Sequence, residues 1–302
     1  MKARVGMVGL GIMGSRMCAN LLKAGFDVHA YDVDPAALAR AREGGASASA
    51  DLRSLAARSE VVVLSLPDAG PLRAVCAGEA GLLAHLPTGA VVCDTSTVDP
   101  ASAREMASLA EASGASFLDC PVSGGPPGAQ AASLTIMVGG EAEALERARP
   151  VLGAIGKKIV HCGESGSGQA AKLVNQALVA AHTVAAMEAL LVGRKAGLSL
   201  DTMYSILQTS SGRSWMLENH LSTHALAGNY EAGFALELMF KDLRLFVETA
   251  TRLQSPALIG ASALQLYNAA RAAGHGKLDQ TVVARELERM AGASLGTLTG
   301  PA

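Results

Sequence analysis

An α/β domain followed by an all-α domain, with one long helix joining them, is the architecture this sequence predicts. Short apolar, β-branched runs alternate with helical stretches through the first half of the chain. A glycine cluster stands between the first strand and the first helix, and from Gln169 onward no convincing strand occurs. Together these point to a sheet layered between helices, then a helical domain, with the boundary at 1–163 and 164–302.

Val5-Gly6-Met7-Val8 reads as a short buried strand, followed at once by Gly9-Leu10-Gly11-Ile12-Met13-Gly14. A helix from Ser15 to Ala24, stopped by Gly25, leads to a second strand, Asp27 to Tyr31, which ends in Asp32. A bare G-x-G-x-x-G is a weak signal in a chain with 33 glycines. In step with strand, helix, strand and acid, it becomes the dinucleotide-binding fingerprint of a Rossmann-type domain. The first glycine permits a tight turn, the second lets backbone approach a pyrophosphate, and the third lets helix and strand pack closely. Unpaired N–H groups at the helix start face the anion. Asp32, about 20 residues past the motif, is placed to accept bonds from the adenosine ribose hydroxyls, which favours NAD over NADP. The alternative role for Asp32 is to cap the next helix.

Further along, Asp34-Pro35 gives a helix N-cap followed by proline at the first helical position, and Gly44-Gly45 ends that helix. Val61 to Leu66, Ala90 to Cys93, Ser116 to Asp119 and Leu134 to Val138 read as strands, with Ile159-Val160 closing the sheet. Runs apolar on both faces imply helices on both sides. Ligands in such sheets bind beyond the carboxyl ends of the strands, which puts Asp32, Leu66, Pro67, Ser96 and Thr97 on one rim. The helices expected beyond it are Gln169 to Ala196, Ser199 to Gln208, Leu236 to Arg252, Pro256 to Ala273 and Asp279 to Ala291.

The chain has 302 residues, 50% hydrophobic and 17% charged, which suits two compact domains and excludes disorder. A net charge of −2 offers no electrostatic case for nucleic acid or an anionic membrane surface. Five dispersed cysteines form no C-x-x-C and read as small buried residues in a reducing compartment. A strand begins almost at the first residue, so no signal peptide is expected. The longest apolar helix contains His182 and Glu188 and is not read as a membrane span. The expectation is a soluble, cytoplasmic protein. We expect no metal, on the reading that the seven histidines and the acids lack a ligand spacing such as H-x-x-x-H.

Two clusters carry chemistry. The helix after Gly168 reads as apolar almost all round, hence buried, yet Lys172, Asn175 and Gln176 share one of its faces. Buried polar groups need partners, so this face is either a polar cleft or an exposed stripe on the first turns. The second cluster is Asp119-Cys120-Pro121-Val122-Ser123-Gly124-Gly125-Pro126-Pro127-Gly128 after a strand. It is either an anion-binding concavity with the Ser123 hydroxyl as a donor, or a plain Gly/Pro turn.

Four ordered motifs resemble the β-hydroxyacid dehydrogenases: Gly9 to Gly14, Asp119 to Gly125, Gly166-Ser167-Gly168-Gln169-Ala170-Ala171-Lys172, and Lys241-Asp242-Leu243. The resemblance implies that Lys172 is the catalytic lysine and that Ser123, Gly124 and Gly125 hold a substrate carboxylate. It places Ser96 and Thr97 against the nicotinamide ribose and makes Lys241 a second lysine closing the site. Many members carry asparagine four residues after the lysine; here that residue is Gln176, with Asn175 before it. Either amide therefore stands as the one that orients substrate. Ser210 to Trp215, with Gly233-Phe234 and Leu238 to Leu243, resembles the 3-hydroxyisobutyrate dehydrogenases, with Phe234 near the substrate or, like Trp215, a core aromatic. The implied activity is NAD-dependent hydride transfer between a short β-hydroxy acid and its semialdehyde, by a homodimer or homotetramer. A tartronate or succinic semialdehyde reductase is the alternative enzyme reading. A non-catalytic binding module is the alternative of another class, and the presence of Lys172 argues against it.

Overall fold

The computed structural model describes residues 2–231 and 233–299. It divides into two compact units, Met1–Lys172 and Leu173–Ala302, each with its own apolar core.

In the first unit one sheet contains β1 (Arg4–Val8), β2 (Asp27–Tyr31), β3 (Ser47–Ala48), β4 (Val61–Leu64), β5 (Val91–Asp94), β6 (Ser116–Asp119), β7 (Val122–Ser123), β8 (Leu134–Gly139) and β9 (Gly156–Gly163). Helices α1 (Ile12–Lys23), α2 (Pro35–Glu43), α3 (Leu52–Ala56), α4 (Ala69–Cys76), α5 (Pro100–Ala112), α6 (Gly125–Gln130) and α7 (Ala142–Leu152) connect them. The order β3-β2-β1-β4-β5-β6 is parallel throughout and is that of a doubly wound dinucleotide-binding sheet. Beyond it β8 runs antiparallel to β6, and β9 pairs parallel with β8.

Alternate residues of β4 enter different cores: Val61 and Val63 join one, Val62 and Leu64 the other. With a side-chain period of two, that is a strand covered on both faces. The edge strand β9 differs, since Lys157, Lys158 and Val160 are exposed there. Lysines on an edge discourage further strand pairing. Asp34 caps α2 by accepting the Ala36 N–H, with Pro35 at the first helical position, as expected. Helix α1 starts at Ile12 rather than Ser15, because Gly11 is its N-cap.

In the second unit, α8 (Ser167–Lys195) continues from the first, followed by α9 (Leu200–Thr209), α10 (Leu236–Arg252), α11 (Leu258–Ala272) and α12 (Ala284–Ala291). A π-helical stretch, Met216–Leu221, and a 3-10 turn, Ala225–Ala227, lie between α9 and α10. The expected helix from Asp279 to Ala291 is split into a 3-10 turn, Gln280–Val283, and α12. By length and composition α8 could cross a membrane. Its Ala180, Val184, Met187, Leu190 and Leu191 instead belong to the helical core. The expectation that α8 is buried all round is corrected: Val174, Leu178 and Val192 are more than half exposed. Their spacing places them on a stripe away from the core residues, so the helix is one-sided.

The start of α8 is fixed by one carboxylate. Asp119, at the end of β6 and fully buried, accepts the N–H of Gly166 at 2.7 Å and of Gln169 at 2.9 Å. Burial pushes its carboxyl above the usual range, and these amides pull it back only in part. The approach requires glycine at Gly168, where a β-carbon would lie 2.5 Å from the Met137 carbonyl oxygen. Asp119→Asn removes one acceptor from a buried helix terminus, which costs about 1–3 kcal/mol. Thermal unfolding should show a lowered Tm; an unchanged Tm would mean that α8 is held elsewhere.

Candidate active site

The carboxyl ends of β1, β2, β4 and β5 share one rim, so the segments that follow them come together there. Gly9 to Gly14 leaves β1, Asp32 follows β2, Leu66 and Pro67 follow β4, and Ser96 and Thr97 follow β5. Asp32 holds the glycine turn directly. Its Oδ2 accepts the Leu10 N–H at 2.5 Å and its Oδ1 accepts the Asp34 N–H at 2.8 Å. The cap of α2 is therefore Asp34, and the Asp32 carboxylate stands at the rim, half-buried.

Within the glycine turn the three positions differ in surroundings. A β-carbon on Gly14 would lie 1.9 Å from the Gly9 carbonyl oxygen, so helix and turn are in backbone contact. At Gly11 a β-carbon would meet nothing within 4 Å. Ile12 is 67% exposed at the first position of α1, while Leu10 is buried and Met13 is packed against the core. An open glycine at the N-terminus of a helix fits a pyrophosphate, which needs close backbone approach and unpaired N–H groups.

Ser96 and Thr97 divide in role. Ser96 is buried, and its Oγ accepts the Leu66 N–H at 2.8 Å, tying the loop after β4 to the loop after β5. Gln169 clamps the same loop from α8, with Nε2 donating to the Ser96 carbonyl at 2.9 Å and Oε1 accepting the Val98 N–H at 3.1 Å. Thr97 and Pro67 remain on the surface side of that clamp. The sequence reading assigned nothing to Gln169 or to the Asp119 carboxylate. Their signal was position: an acid ending an inner strand, and an amide in the first turn of the joining helix.

One turn further along α8, Lys172 is 7% exposed and donates from Nζ to the Val122 carbonyl at 2.7 Å. That carbonyl immediately precedes Ser123, Gly124 and Gly125, so the lysine and the candidate carboxylate loop are brought together. Gly124 and Gly125 have φ of 128° and 59°, left-handed backbone that forms the turn into α6. Pro126 and Pro127 have no N–H, so the amides available at that turn are those of Gly124 and Gly125.

In the second unit the remaining candidates form a chain of contacts. Asn175 Nδ2 donates to Gln176 Oε1 at 3.0 Å, and Gln176 Nε2 donates to Asp242 Oδ2 at 2.7 Å. Asp242 Oδ1 pairs with Lys241 Nζ at 3.1 Å. Asp242 is buried and takes up the Gln176 amide, a role the sequence reading missed although it had singled out Lys241-Asp242-Leu243. Phe234 packs against the helical core, and its N–H donates to Asp279 Oδ2 at 2.9 Å. Trp215 is 66% exposed and is no core aromatic.

The expectation about histidine spacing is corrected. His220-Leu221-Ser222-Thr223-His224 is an H-x-x-x-H, and the fold brings both rings to Asp279. The cysteines are free thiols, four of them buried, and burial pushes Cys18 up to about 11.

Comparison with known proteins agrees with this geometry. The profile of the NAD binding domain of 6-phosphogluconate dehydrogenase matches residues 4–163. That of the NAD-binding region of NADP-dependent 3-hydroxyisobutyrate dehydrogenase matches residues 166–287. The chain is 39% identical over 292 residues to 2-(hydroxymethyl)glutarate dehydrogenase of Eubacterium barkeri, covering 97% of each. The chain belongs to the β-hydroxyacid dehydrogenase family. Another member, the NAD-dependent L-serine dehydrogenase of Pseudomonas aeruginosa, is 38% identical, over 93% of this chain and 96% of its own. The solved 3-hydroxyisobutyrate dehydrogenase of Mycobacterium tuberculosis with L-serine superposes with a TM-score of 0.88 at 34% identity. That match covers 95% of this β-hydroxyacid dehydrogenase and 99% of its counterpart. The expected architecture is that of the family, and the chain is an oxidoreductase with NAD(P)-binding domains.

The contrast between the fingerprint glycines is testable. Gly14→Ala forces a β-carbon into backbone and should cost about 1–3 kcal/mol or more of stability. Gly11→Ala should leave Tm unchanged while weakening NADH binding, read by fluorescence titration. Undiminished NADH affinity in Gly11→Ala would remove that glycine from the pyrophosphate site.

Proposed function

We propose that this β-hydroxyacid dehydrogenase interconverts a short acid of the form HOCH2–CHR–COO− and its semialdehyde, with NAD as the preferred cofactor and a 3-hydroxyisobutyrate-like acid as the favoured substrate. The observation that carries the reading is the bond from Lys172 Nζ to the Val122 carbonyl, beside Ser123, Gly124 and Gly125. The three relatives named above are dehydrogenases of 2-(hydroxymethyl)glutarate, L-serine and 3-hydroxyisobutyrate. Those compounds share a primary hydroxyl on the carbon next to the one that bears the carboxylate, and differ in R.

The Ser123 hydroxyl and the amides of Gly124 and Gly125 hold the carboxylate, which fixes the position of the hydroxymethyl carbon. Fixed geometry of this kind can supply several kcal/mol of a barrier. Lys172 takes the proton from the substrate hydroxyl during oxidation and returns it during reduction. The bound nicotinamide supplies hydride acceptance and donation. Gln176 spends its amide on Asp242, so Asn175, whose oxygen takes no part in that bond, is the amide that orients the hydroxyl.

Lys172→Ala should lower kcat by about 10^2- to 10^4-fold on these acids while leaving NADH affinity and Tm unchanged. The acids are serine, 2-(hydroxymethyl)glutarate and 3-hydroxyisobutyrate, run beside an alcohol that lacks the carboxylate. A variant with more than a tenth of wild-type kcat, or an equally good carboxylate-free alcohol, would defeat the reading.

Cofactor preference follows from charge. A 2′-phosphate on the adenosine ribose would face the Asp32 carboxylate. Arg40, the nearest basic residue along α2, is directed to Asp34 at 3.9 Å. Two like charges at ~4 Å repel by roughly 4 kcal/mol at an effective dielectric of about 20, less where salt and solvent screen them. The expected preference for NAD in kcat/KM is therefore roughly tenfold to a thousandfold. Asp32→Ala should narrow it, and equal use of both cofactors by the wild type would refute the assignment.

A further inference from the structure

His220, His224 and Asp279 offer ligand atoms that all lie within 4.8 Å of one another. They come from the π-helical stretch, the turn after it and the residue capping the 3-10 turn. Asp279 is fully buried, and two backbone donors fix its rotamer: Phe234 N–H at 2.9 Å and Thr281 N–H at 3.0 Å. His220 Nε2 lies 3.1 Å from Asp279 Oδ1.

His224 completes the arrangement in a telling way. Its Nδ1 is 3.0 Å from the His220 carbonyl oxygen, which can only accept, so the hydrogen-bond network assigns the ring proton to Nδ1. In the neutral ring, Nε2 is then a bare lone pair, and it faces Asp279 Oδ2 at 3.8 Å. That separation is too long for a hydrogen bond, and a cation seated between the two atoms would be held by both. Ligands at ~2.0–2.2 Å from a tetrahedral zinc lie about 3.3–3.6 Å apart, inside the range of separations found here. A backbone acceptor on the other ring nitrogen is the support that metal-ligating histidines use. Gly233 stands directly against the cluster: a β-carbon on it would lie 2.7 Å from His224 Nε2 and 3.2 Å from Asp279 Oδ2.

We propose that His220, His224 and Asp279 bind a divalent cation of the zinc class. Two imidazole nitrogens and one carboxylate oxygen suit zinc, cobalt or nickel, whereas magnesium and calcium prefer oxygen alone. The three protein ligands leave a fourth position for water. The ion's role is structural: it pins the Met216–Leu221 stretch to Asp279, and through Asp279 to the backbone of Phe234.

The test is calorimetric titration of chelator-treated, reduced full-length protein with Zn2+, paired with thermal unfolding and with visible absorption of the Co2+ form. One saturable equivalent per chain, a Tm raised by Zn2+ and the spectrum of four-coordinate Co2+ are expected. Asp279 holds too many bonds for its variants to separate binding from folding, so His224→Ala and Gly233→Ala carry the test. The first removes a ligand; the second fills the space and removes none. Each should weaken Zn2+ roughly tenfold or more and abolish the Tm response. Absence of saturable binding overturns the proposal, as does binding of undiminished affinity in His224→Ala, which would place the ion on the cysteines or elsewhere.

Discussion

The first unit depends on a carboxylate buried at the start of a helix. Asp119 ends an inner strand and receives the free amides of the first turn of α8, so helix direction and strand end are set by one group. An anion is well placed there, because the unpaired N–H groups and the helix dipole both favour negative charge. Lys172, one turn along, can reach Val122 only because that first turn is fixed. The carboxylate is an expensive way to hold a helix: burial works against its charge and the amides recover only part of the cost. What it gives in return is position, which the amine proposed for proton transfer needs more than stability.

The same helix turn secures the rim. Gln169 bonds the backbone at Ser96 and Val98, and the Ser96 hydroxyl in turn accepts from Leu66. The loops after β4 and β5 are thereby tied to each other and to α8, although neither loop is regular structure. Thr97 and Pro67, expected to line the cofactor rim, are carried on this frame. Loops can do precise chemistry when a scaffold removes their freedom, and here the scaffold consists of two polar side chains.

Local chemistry made much of this legible in the sequence. The fingerprint, the strand from Asp27 to Tyr31 and the Asp34-Pro35 cap depend on neighbours within a few residues, and they stand where the sequence puts them. The reversal of β8 relative to β6 does not, because an apolar run looks the same in either direction. The bonds of Asp119 and Gln169, and that of Gln176 to Asp242, span 47 or more residues of sequence, and no periodicity encodes such a pairing. The one-sided exposure of α8 was hidden by composition: Val174, Leu178 and Val192 are as apolar as the core residues between them. The His220 and His224 spacing is a local pattern the sequence carries, while its third member, Asp279, lies beyond two further helices.

Gln176 shows how one methylene changes the use of a position. Many family members place asparagine there, four residues after the lysine. The longer side chain in this protein reaches the buried Asp242 and donates to Oδ2 at 2.7 Å, while Lys241 Nζ lies 3.1 Å from Oδ1 as an ion pair without hydrogen-bond geometry. Losing the amide would leave both oxygens of a buried carboxylate without a hydrogen bond, so the amide is committed to that contact. Its own oxygen is filled by Asn175. The polar face of α8 is thus a relay in which Lys241 and Asp242 position Gln176, and Gln176 sets the orientation of Asn175. Substitution at Gln176 therefore acts on both neighbours at once, and asparagine there is not a conservative return to the family pattern.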